Sequence, residues 1–195
     1  MDRFSALAAA CATCRACPLA AARSQVVLSR GNPRARLMLI GEAPGAQEDA
    51  TGQPFVGRAG QLLDQLLSGT AIDPGHDCFI VNVVKCRPPG NRKPTPVEMA
   101  ACRPWLEQQI QLVDPPLVLL VGATALQALL GIKAGITRLR GQWHSSDRPL
   151  LRGRRLMPIL HPSYLLRNPT PRPGGPLACT AADLQEVRRQ LDACL

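Results

Sequence analysis

The alternation of short apolar runs with helix-like segments is the sequence feature that most constrains the fold. The apolar runs are only four to six residues long, a length that suits strands buried on both faces of a sheet. The four runs are Leu37–Ile40, Phe79–Val84, Leu117–Val121 and Leu156–Leu160. Parallel strands need a long crossover between neighbours, and a helix usually supplies it.

Helix-like segments lie between these runs and after the last one. They are Ala59–Leu67, Pro96–Val113, Ala123–Leu130 and Ala181–Leu195. Thr95 is a suitable N-cap before Pro96, and Gly131 is a suitable C-cap after Leu130. The pattern predicts an α/β fold: a three-layer αβα arrangement around a central, mostly parallel four-stranded sheet.

Length, hydropathy and charge restrict the class of protein. A chain of 195 residues is expected to form one domain, residues 1–195. No run approaches the roughly 18 apolar residues of a membrane-spanning helix, so no membrane partner is expected. Leu7–Cys11 faintly resembles a lipoprotein cleavage site, but the apolar run before it is short and Asp2 stands where a signal peptide has basic residues. We therefore interpret the segment as the start of a helix in a cytoplasmic protein. The formal net charge of +9 permits a polyanionic partner without requiring one. The six arginines of Arg138–Arg155 suit a phosphate backbone and a solvated surface loop about equally.

The cysteines show a spacing that metal sites use. Cys14 and Cys17 form a C-x2-C pair, and Cys86 and Cys102 follow with 15 residues between them. In a cytoplasmic chain, eight cysteines indicate metal binding rather than disulfides. Four thiolates suit tetrahedral zinc or a [4Fe–4S] cluster, and the spacing alone favours neither. Cys11 offers a second pair with Cys14.

The loop after the first predicted strand, Gly41–Gly60, is rich in glycine and reads GEAPGAQEDATGQPFVGRAG. Ligands of open α/β sheets bind beyond the carboxyl ends of the strands, so this loop is well placed for a site. It contains no G-x-G-x-x-G, and neither Lys85, Lys93 nor Lys133 is followed by Ser or Thr. A phosphate-binding P-loop is therefore excluded, and a dinucleotide fingerprint is absent.

Two further segments complete a pattern with this loop. They are NVVKCRPPGNRKPTPVEMAACRPWL, starting at Asn82, and HPSYLLRNP, starting at His161. In composition and order, the three segments resemble the family 4 uracil-DNA glycosylases, the iron–sulfur branch of that superfamily. The resemblance runs from about Cys14 to Arg167.

The resemblance implies a DNA repair enzyme of bacterial or archaeal type. Such an enzyme flips uracil out of single- or double-stranded DNA and hydrolyses its N-glycosidic bond, leaving an abasic site. A monofunctional glycosylase is expected, because no lysine occupies the base-contacting positions for Schiff-base chemistry. Nothing in the sequence demands an oligomer, so a monomer is expected.

Four residues resemble the family's central site residues. Phe55 resembles the platform on which uracil stacks. Asn82 resembles the asparagine that reads the uracil edge, since an amide can donate to a carbonyl and accept from N3–H. His161 resembles the histidine that stabilises charge on the leaving uracil. Glu42 resembles the acid that orients or activates the attacking water, and it is expected to matter less than His161.

Further residues of the motifs are expected to contact the base or the flanking DNA. Ala43 is expected to donate its backbone N–H to uracil. Glu48 is expected to form a wall against the thymine methyl group, with a plain surface acid as the alternative. Ser163 and Arg167 are expected to contact phosphates. Leu166, or the leucine before it, is expected to wedge into the vacated stack, with a core role for one of the two as the alternative.

The resemblance also distinguishes between the metals. It matches Cys14, Cys17, Cys86 and Cys102 to the ligands of a [4Fe–4S] cluster, with zinc less favoured. Cys14 and Cys17 are preferred to the pair with Cys11, because Pro18-Leu19 follows Cys17 as it does in the family. The cluster is expected to tie the N-terminal cysteine segment to the rest of the domain.

Two non-enzymatic alternatives are weighed against the glycosylase. The X-type relatives trap uracil-DNA covalently, and they carry a His-containing insertion after the second strand and a Gln in the first motif. Here the corresponding stretch, KCRPPGNRKPTP, has no His, and the first motif reads GEAPG. A non-catalytic, metal-bearing nucleic-acid module would leave the combination of Glu42, Asn82 and His161 unexplained.

Overall fold

A computed structural model describes residues 3–133, 135–170 and 172–193 of the chain. These residues form a sheet of five strands: β1 (Arg30–Gly31), β2 (Leu37–Gly41), β3 (Cys78–Asn82), β4 (Leu117–Val121) and β5 (Arg155–Ile159). Their order across the sheet is β1–β3–β2–β4–β5. Strands β2 to β5 are parallel, as predicted.

The sheet has one strand more than the four that were predicted. The additional strand, β1, is only two residues long and pairs antiparallel with β3 at the edge of the sheet. It has no apolar side chain of its own, so periodicity gives no signal for it. The limits of β3 and β5 also differ from the predicted runs, and each strand begins one residue earlier.

Nine α-helices occur in the described part of the chain: α1 (Arg3–Ala12), α2 (Leu19–Ala22), α3 (Ala46–Thr51), α4 (Arg58–Ser68), α5 (Pro96–Val113), α6 (Ala123–Leu130), α7 (Ile136–Leu139), α8 (Pro162–Arg167) and α9 (Pro176–Ala193). Helices α5 and α6 have the predicted limits. The Thr95 hydroxyl accepts from the Glu98 N–H at 3.2 Å, and the Glu98 carboxylate accepts from the Thr95 N–H at 2.7 Å, which closes a capping box. Helix α9 begins five residues before the predicted start, and its predicted end at Leu195 lies outside the described residues.

Helices cover both faces of the sheet, which confirms the three-layer arrangement. On one face, Met38 and Ile40 of β2 belong to a core with side chains of α5 and α6. On the other face, Leu37 and Leu39 pack into a core with side chains of α4 and α9. At the N-terminus, the Phe4 ring of α1 meets Phe79 edge-on, with centroids 5.2 Å apart. That the whole chain is one domain stays a prediction.

The sheet topology brings four loops to one edge. The chain runs from β2 to β3 on one side and then returns to β4 on the other side, so the strand order reverses at β2. Crevices for ligands form at such switch points. Gly41 lies beside Asn82 in the β2–β3 register, and Val121 lies beside Ile159 in the β4–β5 register. Within the described ranges, no helix is long and apolar enough to cross a membrane.

Candidate active site

A cavity of about 290 Å³ lies at this switch point, near the lower limit for small-molecule sites. The predicted base-contacting and catalytic residues all line it: Glu42, Ala43, Glu48, Phe55, Asn82 and His161, together with Ser163. A larger cavity of about 640 Å³, between α5, α6 and the residues around Arg148, contains none of them. The topology thus brings together side chains that are up to 121 positions apart, from Glu42 to Ser163.

Asn82 ends β3 and is only 2% exposed. Its Oδ1 is buried and has no hydrogen-bond partner among the described residues. An amide oxygen left in this state costs about 1–3 kcal/mol. Because the same residue lines the cavity, a donor on a bound molecule is the natural partner for this oxygen.

Phe55 is buried beside Asn82 in an unusual backbone conformation. Its φ of 57° lies in the left-handed region, which costs a bulky residue about 1–3 kcal/mol. The Phe55 ring lies 6.0 Å from the His161 ring, centroid to centroid, with 33° between their planes. A Cβ at Gly41 would overlap the ring, and a Cβ at Gly60 would overlap the Phe55 carbonyl. Both glycines therefore serve the close packing of this one aromatic residue.

His161 is the N-cap of α8, and its own side chain makes the cap. The Nδ1 atom accepts from the Ser163 N–H at 3.2 Å and lies 2.7 Å from the Ser163 hydroxyl. In the neutral ring the proton therefore sits on Nε2. Burial lowers the pKa of His161 below its ordinary 6.5; Glu42 opposes this shift, and Arg167 adds to it. At neutral pH the residue is thus an uncharged donor through Nε2–H.

Glu42 follows β2 directly and is held by a residue of α6, the helix that follows the neighbouring strand β4. The Thr124 hydroxyl, on α6, donates to Glu42 Oε2. Thr124 is 2% exposed, so the bond is shielded on its side from water. The arrangement leaves the other carboxylate oxygen of Glu42 for a water molecule or a developing positive charge.

Glu48 lines the cavity, and its carboxylate binds the backbone of the loop itself. Oε1 accepts from the Val56 and Gly57 N–H groups at 3.0 and 2.8 Å, and Oε2 accepts from the Gly45 N–H at 3.0 Å. The alternative of a plain surface acid does not describe these contacts. The wall against a methyl group stays a prediction, as does a base contact by the Ala43 N–H.

Helix α8 separates the two leucines of the third motif. Leu165 is buried, with 2% exposure, whereas Leu166 is 37% exposed and is one of the few large apolar side chains so exposed in the described chain. The core role therefore belongs to Leu165. Leu166 and Arg167 both lie outside the cavity lining and are exposed on the same short helix.

The basic stretch Arg138–Arg155 is largely engaged within the protein. Four of its arginines have internal partners: Arg140 binds Asp183, Arg148 the Leu129 carbonyl, Arg154 Asp114, and Arg155 stacks over Trp143. None of its six arginines lines the small cavity. These contacts favour the surface-loop interpretation over a continuous phosphate track.

The predicted metal ligands gather where the N-terminal segment meets α5. Three of the four sulfurs accept from N–H groups: Cys14 from Trp105 at 3.3 Å, Cys86 from Arg23 at 3.2 Å, and Cys102 from the Lys85 backbone at 3.2 Å. Burial raises the pKa of the Cys86 thiol, and the nearby Cys17 and Cys14 raise it further; burial also raises the pKa of Cys102, to about 11, with Cys86 and Cys17 adding to the shift. Within the described ranges, no three His, Cys, Asp or Glu side chains come close enough to share one metal ion.

Comparison with known families places this geometry in context. The profile of the uracil DNA glycosylase superfamily matches residues 28–185, which include every residue of the cavity wall. The chain belongs to the uracil-DNA glycosylase superfamily. The resemblance predicted from the three motifs is thereby confirmed.

Several relatives are named type-4 uracil-DNA glycosylases. The one from Thermotoga maritima is 48% identical over 159 residues, which cover 80% of this chain and 79% of the relative. The one from Sulfurisphaera tokodaii is 36% identical over 177 residues, covering 87% and 78%. The one from Saccharolobus solfataricus is 37% identical over 175 residues, covering 87% and 80%.

Some residues that line the small cavity were not predicted from the sequence. Pro88, Asn91 and Arg92, from the loop after β3, complete its wall, although they lie within the second motif. Thr124 was missed as well. The sequence does contain a signal for Thr124. It is a polar residue that closely follows the apolar run of β4, as Glu42 closely follows the apolar run of β2, and both strand ends lie at the same edge of the sheet.

Proposed function

We propose that this protein is a monofunctional uracil-DNA glycosylase that initiates DNA repair by hydrolysing the N-glycosidic bond of deoxyuridine. The observation that carries the proposal is the buried, unpartnered Oδ1 of Asn82 in a cavity lined by Phe55 and His161. Uracil offers an N3–H for that oxygen and a flat face for the aromatic ring. Cytosine has no hydrogen on N3 and would leave the oxygen without a donor.

Base recognition begins once uracil leaves the DNA stack. The ring of Phe55 provides a stacking surface, and the amide of Asn82 accepts from N3–H while its NH2 group donates to O4. The cavity walls exclude water from these bonds, which raises the cost of a mismatched edge. Discrimination thus follows from groups that are already in place before the base arrives.

Bond cleavage sends the electron pair of the C1′–N1 bond to uracil. Negative charge develops on the base, and His161 donates its Nε2–H to the uracil O2, which carries part of that charge. The sugar is left as an oxocarbenium-like cation, which the Glu42 carboxylate stabilises at close range. Water then attacks C1′ and releases its proton to Glu42 or to solvent. The uracil anion takes up a proton from solvent after release, so one water molecule is consumed and the products are uracil and an abasic site.

The surface of α8 is proposed to hold the flanking DNA. Leu166 is an apolar, exposed side chain of α8, the helix whose Ser163 lines the cavity. A wedge into the vacated stack requires such a side chain. Arg167, on the same helix, is proposed to contact a flanking phosphate. The Ser163 hydroxyl and N–H both meet His161 Nδ1, so a phosphate contact by Ser163 stays a prediction that requires its hydroxyl to turn away from His161. A monomeric state and a cytoplasmic location stay predictions.

The four thiols are proposed to hold a [4Fe–4S] cluster. Three of the four thiols are hydrogen-bonded in the region where the N-terminal segment meets α5, through Trp105, Arg23 and the Lys85 backbone. Four thiolates suit a [4Fe–4S] cluster or a zinc ion, and the resemblance of these four positions to the ligands of the iron–sulfur branch favours the cluster. When bound, the group supplies a covalent tie between the N-terminal segment and α5; glycosidic hydrolysis itself transfers no net electrons.

One experiment tests the proposed function. The protein is incubated with single- and double-stranded oligonucleotides that contain one uracil, cytosine or thymine, and the products are treated with alkali. Strand cleavage at uracil alone is expected. A DNA adduct that resists denaturation would indicate covalent trapping instead, and intact DNA under all conditions would refute both activities.

A further inference from the structure

The backbone on either side of Phe55 is held by two oppositely charged side chains, Arg30 from the edge strand and Glu48 from the short helix that precedes Phe55. On the carbonyl side, Arg30 of β1 donates from Nε to the Pro54 carbonyl at 2.8 Å and from a terminal nitrogen to the Phe55 carbonyl at 3.3 Å. The same nitrogen lies 2.6 Å from Asp64 Oδ1.

On the amide side, Glu48 of α3 holds the next two residues. One carboxylate oxygen accepts from the Val56 and Gly57 N–H groups, and the other reaches back to the Gly45 N–H. The segment from Pro54 to Gly57 therefore has two carbonyls and two N–H groups bound by charged groups. Such hydrogen bonds are roughly twice as strong as neutral ones.

The conformation of Phe55 explains why so many bonds converge on it. A left-handed φ of 57° in a phenylalanine persists only where the surroundings over-determine it. Phe55 belongs to neither a helix nor a strand, so no regular hydrogen-bond ladder supplies that constraint. The two charged side chains do.

We propose that Arg30 and Glu48, together called the clamp, are positioning residues that hold the Phe55 ring in the orientation that stacks on uracil. The inference rests on the platform role given to Phe55 in the proposed function. It assigns the clamp a purpose beyond folding: a platform fixed in advance loses no ordering entropy when the base enters. It also gives the short edge strand β1 a task, since pairing with β3 is what brings Arg30 under the loop.

The test uses Arg30→Met and Glu48→Gln, with Asp64→Asn as the matched control. The control removes the partner of the guanidinium but leaves both of its carbonyl contacts. Each clamp variant is expected to lower kcat/KM on uracil-DNA about 10- to 100-fold and to weaken inhibition by free uracil, because each loses bonds to a charged group. Arg30→Lys, which keeps one charged donor, should recover part of the loss, and Asp64→Asn should stay near the wild-type value.

Repeating the substitutions in a Phe55→Ala background separates positioning from general destabilisation. Without the ring there is nothing to position, so the clamp substitutions should cost less than threefold there. Equal losses with and without the ring would overturn the proposal, as would wild-type kinetics in Arg30→Met. A wild-type protein that leaves uracil-DNA intact would instead refute the proposed function, so the two failures are distinguishable. Melting temperatures identify any variant that does not fold, and Arg30→Lys then carries the comparison.

Discussion

Replacing Asn82 by alanine tests the central claim about base recognition. The substitution removes both the unpartnered Oδ1 and the NH2 group of a cavity residue that is only 2% exposed. A bound uracil would then bury its N3–H and its O4 without partners, at about 1–3 kcal/mol each. The sum, about 2–6 kcal/mol, corresponds to a loss of roughly 30-fold to 10⁴-fold in kcat/KM.

The assay pairs this variant with a modified substrate and a control residue. Single-turnover excision is measured on oligonucleotides with uracil or N3-methyluracil; the methylated base lacks the N3–H and should be a poor substrate for the wild type. In Asn82→Ala the methyl group should cost much less, because its intended partner is gone. Gln109 is the control, since its Oε1 is also buried without a partner among the described residues but lies away from the cavity.

The expected outcomes separate recognition from stability. Gln109→Ala should lower the melting temperature, because its amide also donates to the Leu28 carbonyl at 3.0 Å, and leave kcat/KM unchanged. A loss under threefold in Asn82→Ala would show that Asn82 does not read the uracil edge. So would a methylation penalty of the same size in the variant and the wild type.

Further predictions concern charge, backbone packing and the thiols. His161→Gln should lower the excision rate on the order of 100- to 1000-fold, and Glu42→Gln by less; single-turnover rates in the reverse order would overturn both assignments. Because burial keeps the pKa of His161 below its ordinary 6.5, the unfolded chain takes up a proton first as pH falls, so stability should decline below about pH 6.5 until the folded pKa is passed. Urea titrations over that window should show a smaller decline for His161→Gln, and an equal decline would contradict the shift. Gly60→Ala should lower both the melting temperature and the activity, since its Cβ would overlap the Phe55 carbonyl; wild-type values would show that the loop yields. Cys86→Ser should abolish a broad absorbance at about 400 nm, whereas retention of colour would exclude Cys86 as a ligand.

Features with a local cause could be read from the sequence. The limits of α5 follow from Thr95, Pro96 and Glu98, which close a capping box within one turn. The four parallel strands were found because each is a continuous apolar run between helical segments. The motif residues that line the cavity were identified by resemblance to a family, and the structure brings them together at the carboxyl edge of the sheet.

Features that depend on distant parts of the chain were decided by the tertiary structure. Strand β1 carries no periodic signal and exists because β3 offers it an edge. Thr124 meets Glu42 only because β4 pairs with β2, and Arg30 and Glu48 reach Phe55 from elements that the sequence separates by loops. The α/β class and the order of the elements could be predicted because they depend on local pattern and residue type, and the residues of the site could be predicted from the resemblance to a family. The side chains that hold the site residues in position could not be predicted from the sequence. Their hydrogen bonds join residues far apart in the chain, and such residues meet only in the folded sheet.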